Sequence, residues 1–488
     1  MNILVLDTIH GGRTIAEYLT ASDCLCDTVD VYRHESGISE EEAVRNLTLK
    51  RYDFVCAPIH LSPEYCILKS AAAEGIPVLS HHEIVSLIVS GLSDADVNSE
   101  NAKPIIEITG TRGKTTTAYA LSHMLSHAVP TKPEIPPKNS RGNERGINER
   151  GINERGILHT SRETVAVPGG RILQKVSITP ASSVMPALYA LKNNLWLVAE
   201  ESLGVCGFGN LAVLTSTGDY LCADKKRSAL AVKLASMAEC QRILIGYGAD
   251  KRKVLETVES LPESKKIPAE RLFFATEIVT VEDGVCRCGG IGNGSVSGNN
   301  CNNDCGTAGF SEFSNPLLYL EGYRQAIATA AAAACILGYN PECLSEFSSV
   351  PGRLSLTRDN GFTVIDNSNS GTNRNTAVIA AEYARKTADT QSGIILVIGI
   401  ESETVCEGFS KEDVSSAIAD IKPEIAVVVG ESLKSIVPDD FDNTIIYHAD
   451  NLESGRKKAL EIAAGSDCEQ NGEDNGGKAV ILSVKTWR

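Results

Sequence analysis

No run of apolar residues in this chain reaches the ~18 needed to cross a bilayer as a helix; the nearest approach is the alanine-rich segment around Ala330. Positive charge is also short, with 46 Lys and Arg against 62 Asp and Glu and a formal net charge of −16. That balance argues against a nucleic-acid polyanion or an anionic membrane surface as the main partner. A small anion can still be held by a local patch of main-chain N–H groups and one or two cations. No secretory signal is expected, since "MNILVLDTIHGG" starts directly with a strand-like run. The 15 cysteines are scattered, so a reducing cytosol with cysteines acting as small hydrophobes is the simplest expectation. Histidine is scarce, nine in all, with a single adjacent pair, His81-His82, to which the pattern assigns no role.

What is present is α/β alternation. A length of 488 residues leaves room for about three domains. Residues 1–102 read as the first: "NILVLD", "YDFVCAP" and "IPVLS" are strands, each followed by a helix-like stretch, the first of them Arg13–Leu19. Such alternation indicates a parallel sheet with crossover helices. The turn His10-Gly11-Gly12 serves either as a tight strand-to-helix connection or as a place where backbone approaches a ligand. Residues 103–352 read as the middle domain and 353–488 as the third, with strands at "FTVIDN", "GIILVIGI", "EIAVVVG" and "KAVILSV" and a helix over 375–385.

Two insertions interrupt the middle domain, at about 130–157 and 289–306. The first contains a tandem five-residue repeat, "RGNERGINERGINERGI" (Arg141–Ile157), too short in period for a solenoid and with neither helical nor strand patterning. It is expected to be a solvated, structureless loop. The second is rich in glycine and asparagine. Around it Cys286, Cys288, Cys301 and Cys305 give C-x-C-x12-C-x3-C, tighter in its first pair than the C-x2-4-C that structural zinc prefers. A tolerated surface insertion is expected rather than a metal site.

The most informative stretch is "IIEITGTRGKTTTAYALSHML" (105–125): an apolar strand, a glycine turn and a helix. Gly110 and Gly113 permit backbone angles and close approach that a side chain forbids. The helix start presents unpaired N–H groups and the positive dipole end to phosphate. Lys114 can reach the β/γ-phosphates and the Thr115 hydroxyl can ligate Mg²⁺. Ile108 occupies the first glycine position of the longer G-x4-G-K-[ST] pattern, so the loop, with Thr111, Arg112 and Thr116, is the shorter G-x-x-G-K-T form. The middle domain is expected to bind ATP with Mg²⁺.

A phosphate loop behind an N-terminal α/β domain resembles the Mur ligase family, which activates a carboxylate as an acyl phosphate and delivers a nucleophile to it. The resemblance implies a three-domain architecture, with a central P-loop ATPase domain between two Rossmann-like α/β domains. Further motifs arrive in the family's order. "ITPASSVMPAL" puts Thr179 on the acceptor side, and "LWLVAEESLG" supplies a strand-end metal glutamate, Glu200, with Glu201 as the alternative. "LAVLTSTGDY" carries Asp219 but has Tyr220 where the family usually has a metal-binding histidine. "SALAVKLASM" matches the helix whose lysine, here Lys233, is often carbamylated. Gln325 stands for the asparagine beside adenine, and Arg353 in "SSVPGRLSL" is the Gly-Arg signature that meets ATP phosphate. Asp366 and Asn373 in "VIDNSNSGTNRNTA" are candidate ribose or adenine contacts. By the resemblance, Lys114, Glu200, Lys233 and Arg353 form the catalytic set, and His10, Gly11, Gly12 and Thr179 face the substrate.

Within the family, "VLDTIHGG", the arginine in "GTRGKTT" and the ending "VKTWR" point to a member that activates a carboxylate on a nickel tetrapyrrole and closes a carbocyclic ring within the same molecule. From that ending, the acidic-amino-acid recognition segment of some cell-wall members is expected to be missing. An amide-forming ligase is the first alternative, and a P-loop protein that acts through partners rather than catalysis is a remoter one. The expected partner is thus a small polycarboxylate, with no nucleic acid and no membrane, bound by a cytoplasmic monomer or homodimer.

Overall fold

The structure, a computed structural model, describes residues 1–93, 102–128, 154–289, 311–359, 361–369, 371–387, 393–401, 409–437, 441, 443–465 and 478–486. The chain divides into two compact units, Met1–Phe347 and Ser348–Arg488.

The first unit opens with β1 (Asn2–Leu6), α1 (Arg13–Ala21), β2 (Leu25–Val29), α2 (Glu40–Thr48), β3 (Phe54–Ala57), α3 (Cys66–Ala73), β4 (Val78–Ser80) and α4 (His81–Leu92). The strands form a parallel sheet of order β2-β1-β3-β4. β1 is central, and Ile3, Leu4, Val5 and Leu6 are all fully buried between helices, as a near-continuous apolar run in a parallel sheet must be. Strand β2 and helix α2 escape the sequence reading for a physical reason. β2 ("LCDTV") is an edge strand with Leu25 exposed, and α2 ("EEEAVRNLT") buries only Ala43, Asn46 and Leu47, so neither shows a strong apolar period.

The unit continues with β5 (Ile105–Thr109), α5 (Lys114–His127), β6 (Gly156–His159), β7 (Thr164–Val167), β8 (Arg171–Gln174), α6 (Val184–Asn193), β9 (Trp196–Glu200) and β10 (Leu211–Leu214). After a small hairpin, β11 (Leu221–Cys222) and β12 (Arg227–Ser228), come α7 (Ala229–Ser236), β13 (Ile243–Ile245), α8 (Lys251–Ser260) and β14 (Leu272–Phe274). The eight-stranded sheet has order β14-β13-β10-β5-β9-β6-β7-β8, parallel from β14 to β6 and antiparallel beyond. A short helix α9 (Ala275–Ile278) leads into an antiparallel sheet of β15 (Val279–Glu282), β16 (Val285–Cys288) and β17 (Ser311–Ser314), and α10 (Glu321–Leu337) packs on α5.

The expectation of a structureless repeat through Ile157 is corrected at its end. Gly156 and Ile157 begin β6, an interior strand between β9 and β7, and Ile157 is fully buried. Glu154, the last glutamate of the repeat, pairs with Arg171 at 2.8 Å and accepts a hydrogen bond from the Tyr189 hydroxyl at 2.8 Å. The copies before Glu154 lie outside the described residues. The end of the repeat pairs with β9 on one side and β7 on the other. Of the four loop cysteines, Cys301 and Cys305 lie outside the described residues. Cys286 and Cys288 are both buried, on one face of β16. Their C-x-C spacing is the two-residue alternation of a strand.

The second unit holds β18 (Ser355–Asp359), β19 (Phe362–Asp366), α11 (Arg374–Thr387), β20 (Ile394–Ile400), α12 (Lys411–Ile421), β21 (Ile425–Val429), β22 (Ile445–Ala449), α13 (Leu452–Gly465) and β23 (Ala479–Lys485). Its sheet has order β18-β19-β23-β20-β21-β22, parallel except for the β18–β19 pair. Three α/β sheets in series, with the glycine loop opening the second, are therefore the architecture of the chain.

Candidate active site

The glycine loop sits at the carboxyl end of β5, a strand buried along its whole length. Gly110 has φ 147°, and a Cβ there would stand 2.1 Å from the Thr215 hydroxyl, so no other residue fits. Thr215 and Ser216, directly after β10, hold the loop closed. The Thr215 hydroxyl donates to the Arg112 carbonyl at 2.6 Å, and the Ser216 hydroxyl accepts from the amides of Thr111 and Arg112 at 3.0 Å each. Those two amides are thus used internally. Gly113, at φ 80°, reverses the chain so that α5 starts at Lys114.

On the first turn of α5 the Thr115 hydroxyl donates to Glu200 Oε2 at 2.9 Å. Glu200 also accepts from the Ser161 amide at 3.2 Å, and its other oxygen lies 3.9 Å from Lys114 Nζ. Lys114 in turn donates to the Gly110 carbonyl at 3.2 Å. Lysine, hydroxyl and carboxylate meet here because β5 and β9 are adjacent parallel strands and end at the same level. Thr116 is buried beside Thr115. Glu201 faces away. It accepts from the Cys206 amide and lies in a fully buried cluster with Glu107 and Cys206. Burial, and for Glu201 the neighbouring Glu107 charge, push both carboxyls up, so this pair holds a proton far above the usual carboxylate range.

Lys233, on α7, is only 2% exposed and donates to the Thr111 hydroxyl at 3.3 Å, beneath the loop. Burial, reinforced by the Lys114 charge, lowers its pKa. Its ammonium lies 5.2 Å from the centre of the Tyr220 ring, so tyrosine packs on the lysine where a metal-binding histidine was the family pattern. Asp219 accepts from the Ser228 hydroxyl and the Leu230 amide, fixing the start of α7. Gln325, near the start of α10, lies against Gly248 in the turn after β13, at the same end of the parallel strands as the loop.

The His10-Gly11-Gly12 turn packs on the 3-10 turn that follows β8 in the same unit. A Cβ on Gly11 would be 2.9 Å from the Thr179 hydroxyl, which puts these sequence-distant candidates in contact. Thr179 starts a short 3-10 turn (Pro180–Ser183), whose Ser182 hydroxyl contacts His159 at the end of β6. The pair His81-His82 anchors the first sheet. His81 Nε2–H donates to the Leu6 carbonyl at 3.0 Å and His82 Nε2–H to the Ser202 carbonyl at 2.9 Å, two residues after Glu200. No local pattern marks Ser161 as a site residue, whereas Thr215 and Ser216 are marked only by being a Thr-Ser pair at a strand end.

Arg353, Asp366 and Asn373 belong to the second unit. Arg353 follows Gly352, whose carbonyl accepts from Asn369 at 2.7 Å, and its amide donates to Val350. Asp366 ends β19 and accepts from the Ser368 amide at 2.9 Å. Asn373 accepts from the Thr376 amide at 3.1 Å, the bond of a helix cap at the start of α11.

A strand, a glycine turn, and a lysine and threonine on a helix start facing a strand-end glutamate define a P-loop α/β protein. Comparison with known proteins narrows this. Residues 356–468 match the family model described as coenzyme F430 synthetase CfbE, C-terminal domain. Over 514 aligned residues the chain is 29% identical to coenzyme F(430) synthetase of Methanosarcina acetivorans, covering 100% of this chain and 98% of that protein. Solved structures that align with it include UDP-N-acetylmuramate-alanine ligase MurC of Thermotoga maritima, at TM-score 0.45, 14% identity and coverage of 100% and 96%. A pseudomurein peptide ligase type C from Methanothermus fervidus aligns at TM-score 0.40, 14% identity and coverage of 99% and 96%. The resemblance to coenzyme F(430) synthetase extends from one end of the chain to the other.

Proposed function

We propose that the chain is an ATP-dependent ligase that activates a carboxylate as an acyl phosphate and closes a carbocyclic ring. Its substrate in this reading is 15,17(3)-seco-F(430)-17(3)-acid, a nickel tetrapyrrole polycarboxylate, converted to coenzyme F(430) with release of ADP and phosphate. The observation that carries the reading is the end-to-end similarity to coenzyme F(430) synthetase, supported by the match in the C-terminal region.

The site chemistry fits the first half-reaction. Lys114, at the start of α5, supplies positive charge where β/γ-phosphates would lie against the helix N-terminus. The Thr115 hydroxyl and the Glu200 carboxylate are two hard oxygen donors, buried and one hydrogen bond apart, a donor set suited to Mg²⁺. When bound there, the cation would neutralise charge on the transferring phosphoryl group. The lowered pKa of Lys233 favours a free amine beneath the loop, which is the form that carbamylation requires. Arg353 keeps the phosphate-neutralising role that the resemblance implies, with Gln325, Asp366 and Asn373 as nucleoside contacts. Thr179 and the His10–Gly12 turn stand on the substrate side. Because electrophile and nucleophile belong to one molecule, ring closure gains the effective-molarity advantage of an intramolecular step and needs no amine pocket.

Incubating the anaerobically purified protein with the seco acid, ATP and Mg²⁺ tests this directly. ADP, phosphate and a product lighter by one water are expected in equal amounts. Turnover only on addition of an amino acid would make the chain an amide ligase. ADP formation without either acceptor being consumed would leave an ATP hydrolase and not a ligase.

A further inference from the structure

We propose that Asp7, His10 and His60 form a binding site for a divalent first-row transition-metal ion of the zinc, cobalt or nickel class. The place is set by topology. In the order β2-β1-β3-β4, the chain leaves β1 to one side to form β2 and returns to the other to form β3. Open parallel sheets bind ligands in the crevice outside the carboxyl ends of the strands where the order reverses. Asp7 directly follows β1 and His60 lies just beyond β3, so the residues flank that crevice.

The donor geometry converges on the Asp7 carboxylate, with His10 Nδ1 also 3.1 Å from Oδ1. His10 Nδ1 is 2.9 Å and His60 Nε2 3.6 Å from Asp7 Oδ2, and the three ligating atoms lie within 4.8 Å of one another. Asp7 Oδ1 accepts from the amides of Ile9 and His10 at 3.1 Å each, which fixes the carboxylate and turns Oδ2 toward the imidazoles. Backbone support of this kind orients a ligand and tunes its basicity. Asp7 also holds a left-handed conformation, φ 67°, costly for a residue with a side chain and maintained by that network. Two imidazoles and one carboxylate suit zinc, cobalt and nickel, whereas Mg²⁺ and Ca²⁺ prefer all-oxygen sets. Asp7 is fully buried while the His10 side chain is 51% exposed, so an ion has both an anchored charge and a route in. Tyr32 closes one side, stacked on the His60 ring at 6.1 Å with its own ring edge-on to His10 at 5.3 Å.

Three protein ligands leave coordination positions open. On the ligase reading, an open position would take a carboxylate of the substrate, since the adjoining Gly11 packs on Thr179. The test uses neither ATP nor tetrapyrrole, so its failure leaves that reading standing. The full chain is stripped with chelator, titrated with Co²⁺, and followed by visible absorption and by metal content after dialysis. One equivalent bound with nitrogen/oxygen-type bands is expected, weakened at least tenfold in His60→Gln and in His10→Gln. Asp7→Asn, which keeps an acceptor for the two amides, is expected to weaken binding equally while circular dichroism stays native. Absence of binding in the wild-type chain overturns the site. So does binding unchanged in the histidine variants, or thiolate-type near-ultraviolet bands that place the ion on cysteines.

Discussion

Shortening the five-residue repeat separates sequence composition from tertiary role. Excising residues 141–153 removes nothing from the described structure and roughly halves the connection between Ala128 and Glu154. Loop-closure entropy changes by only about 0.6 kcal/mol per halving, in the stabilising direction. Excising 141–157 removes only one further partial copy of the same repeat, but with it the start of β6. Ile157 is fully buried, and truncating such a residue costs about 2–5 kcal/mol. Glu154 is lost too, leaving Arg171 and Tyr189 without their shared carboxylate, for about 1–3 kcal/mol more. Strands β7 and β8 would also lose the strand that joins them to β9. The sum, on the order of 5 kcal/mol, rivals the whole stability of a typical domain. Urea unfolding of both deletions, with Ile157→Ala as a point control, is the assay. The shorter deletion should unfold like the parent and Ile157→Ala at clearly lower urea. The longer deletion should fail to accumulate as folded protein. If it unfolded at the parent's midpoint, the interior placement of β6 would be refuted.

Three other predictions concern the site and its frame. Lys114→Ala and Glu200→Gln should each lower ATP turnover on the order of 10²–10³-fold while urea midpoints stay close to wild type; near-native turnover in folded variants would move the phosphate site elsewhere. Gly110→Ala should destabilise the loop and abolish nucleotide binding by fluorescence titration, because a Cβ at that φ meets the Thr215 hydroxyl. Two sets of buried groups should pull stability in opposite directions across weakly acidic pH. His81, His82 and His159 are pushed down to about 4 by burial, so the unfolded chain takes up protons first and stability is lost as pH falls from about 6.5 toward 4. Glu107 is pushed up to about 7 by burial, so its contribution is lost as pH rises from about 4.5 through 7. Glu107→Gln should flatten the alkaline side in melting curves taken across that range, and an unchanged slope would contradict the buried protonated pair.

Whatever is local in the chain is legible from its residues alone. A phosphate loop is one strand, one turn and one helix start, so Gly110, Gly113, Lys114 and Thr115 are legible in a dozen residues. The buried parallel strands are likewise written as apolar runs, which is why β1, β5, β20, β21 and β23 could be read directly. Polar edge elements such as β2 and α2 carry too little apolar period to be read, since their stability comes from neighbours. Tertiary packing alone sets Glu200 apart from Glu201, adjacent acids at the end of one strand. Register turned the first to Thr115 and the second into a closed cluster with Glu107. It also decided that Lys233 lies buried beneath the loop rather than solvated, that Cys286 and Cys288 are one face of a strand, and that a repeat copy ends inside a sheet. Most of all it brought His60 to Asp7 and His10, fifty or more positions away. No local pattern encodes such a meeting, because it follows from which strand ends lie side by side, and that is fixed by the packing of the whole sheet.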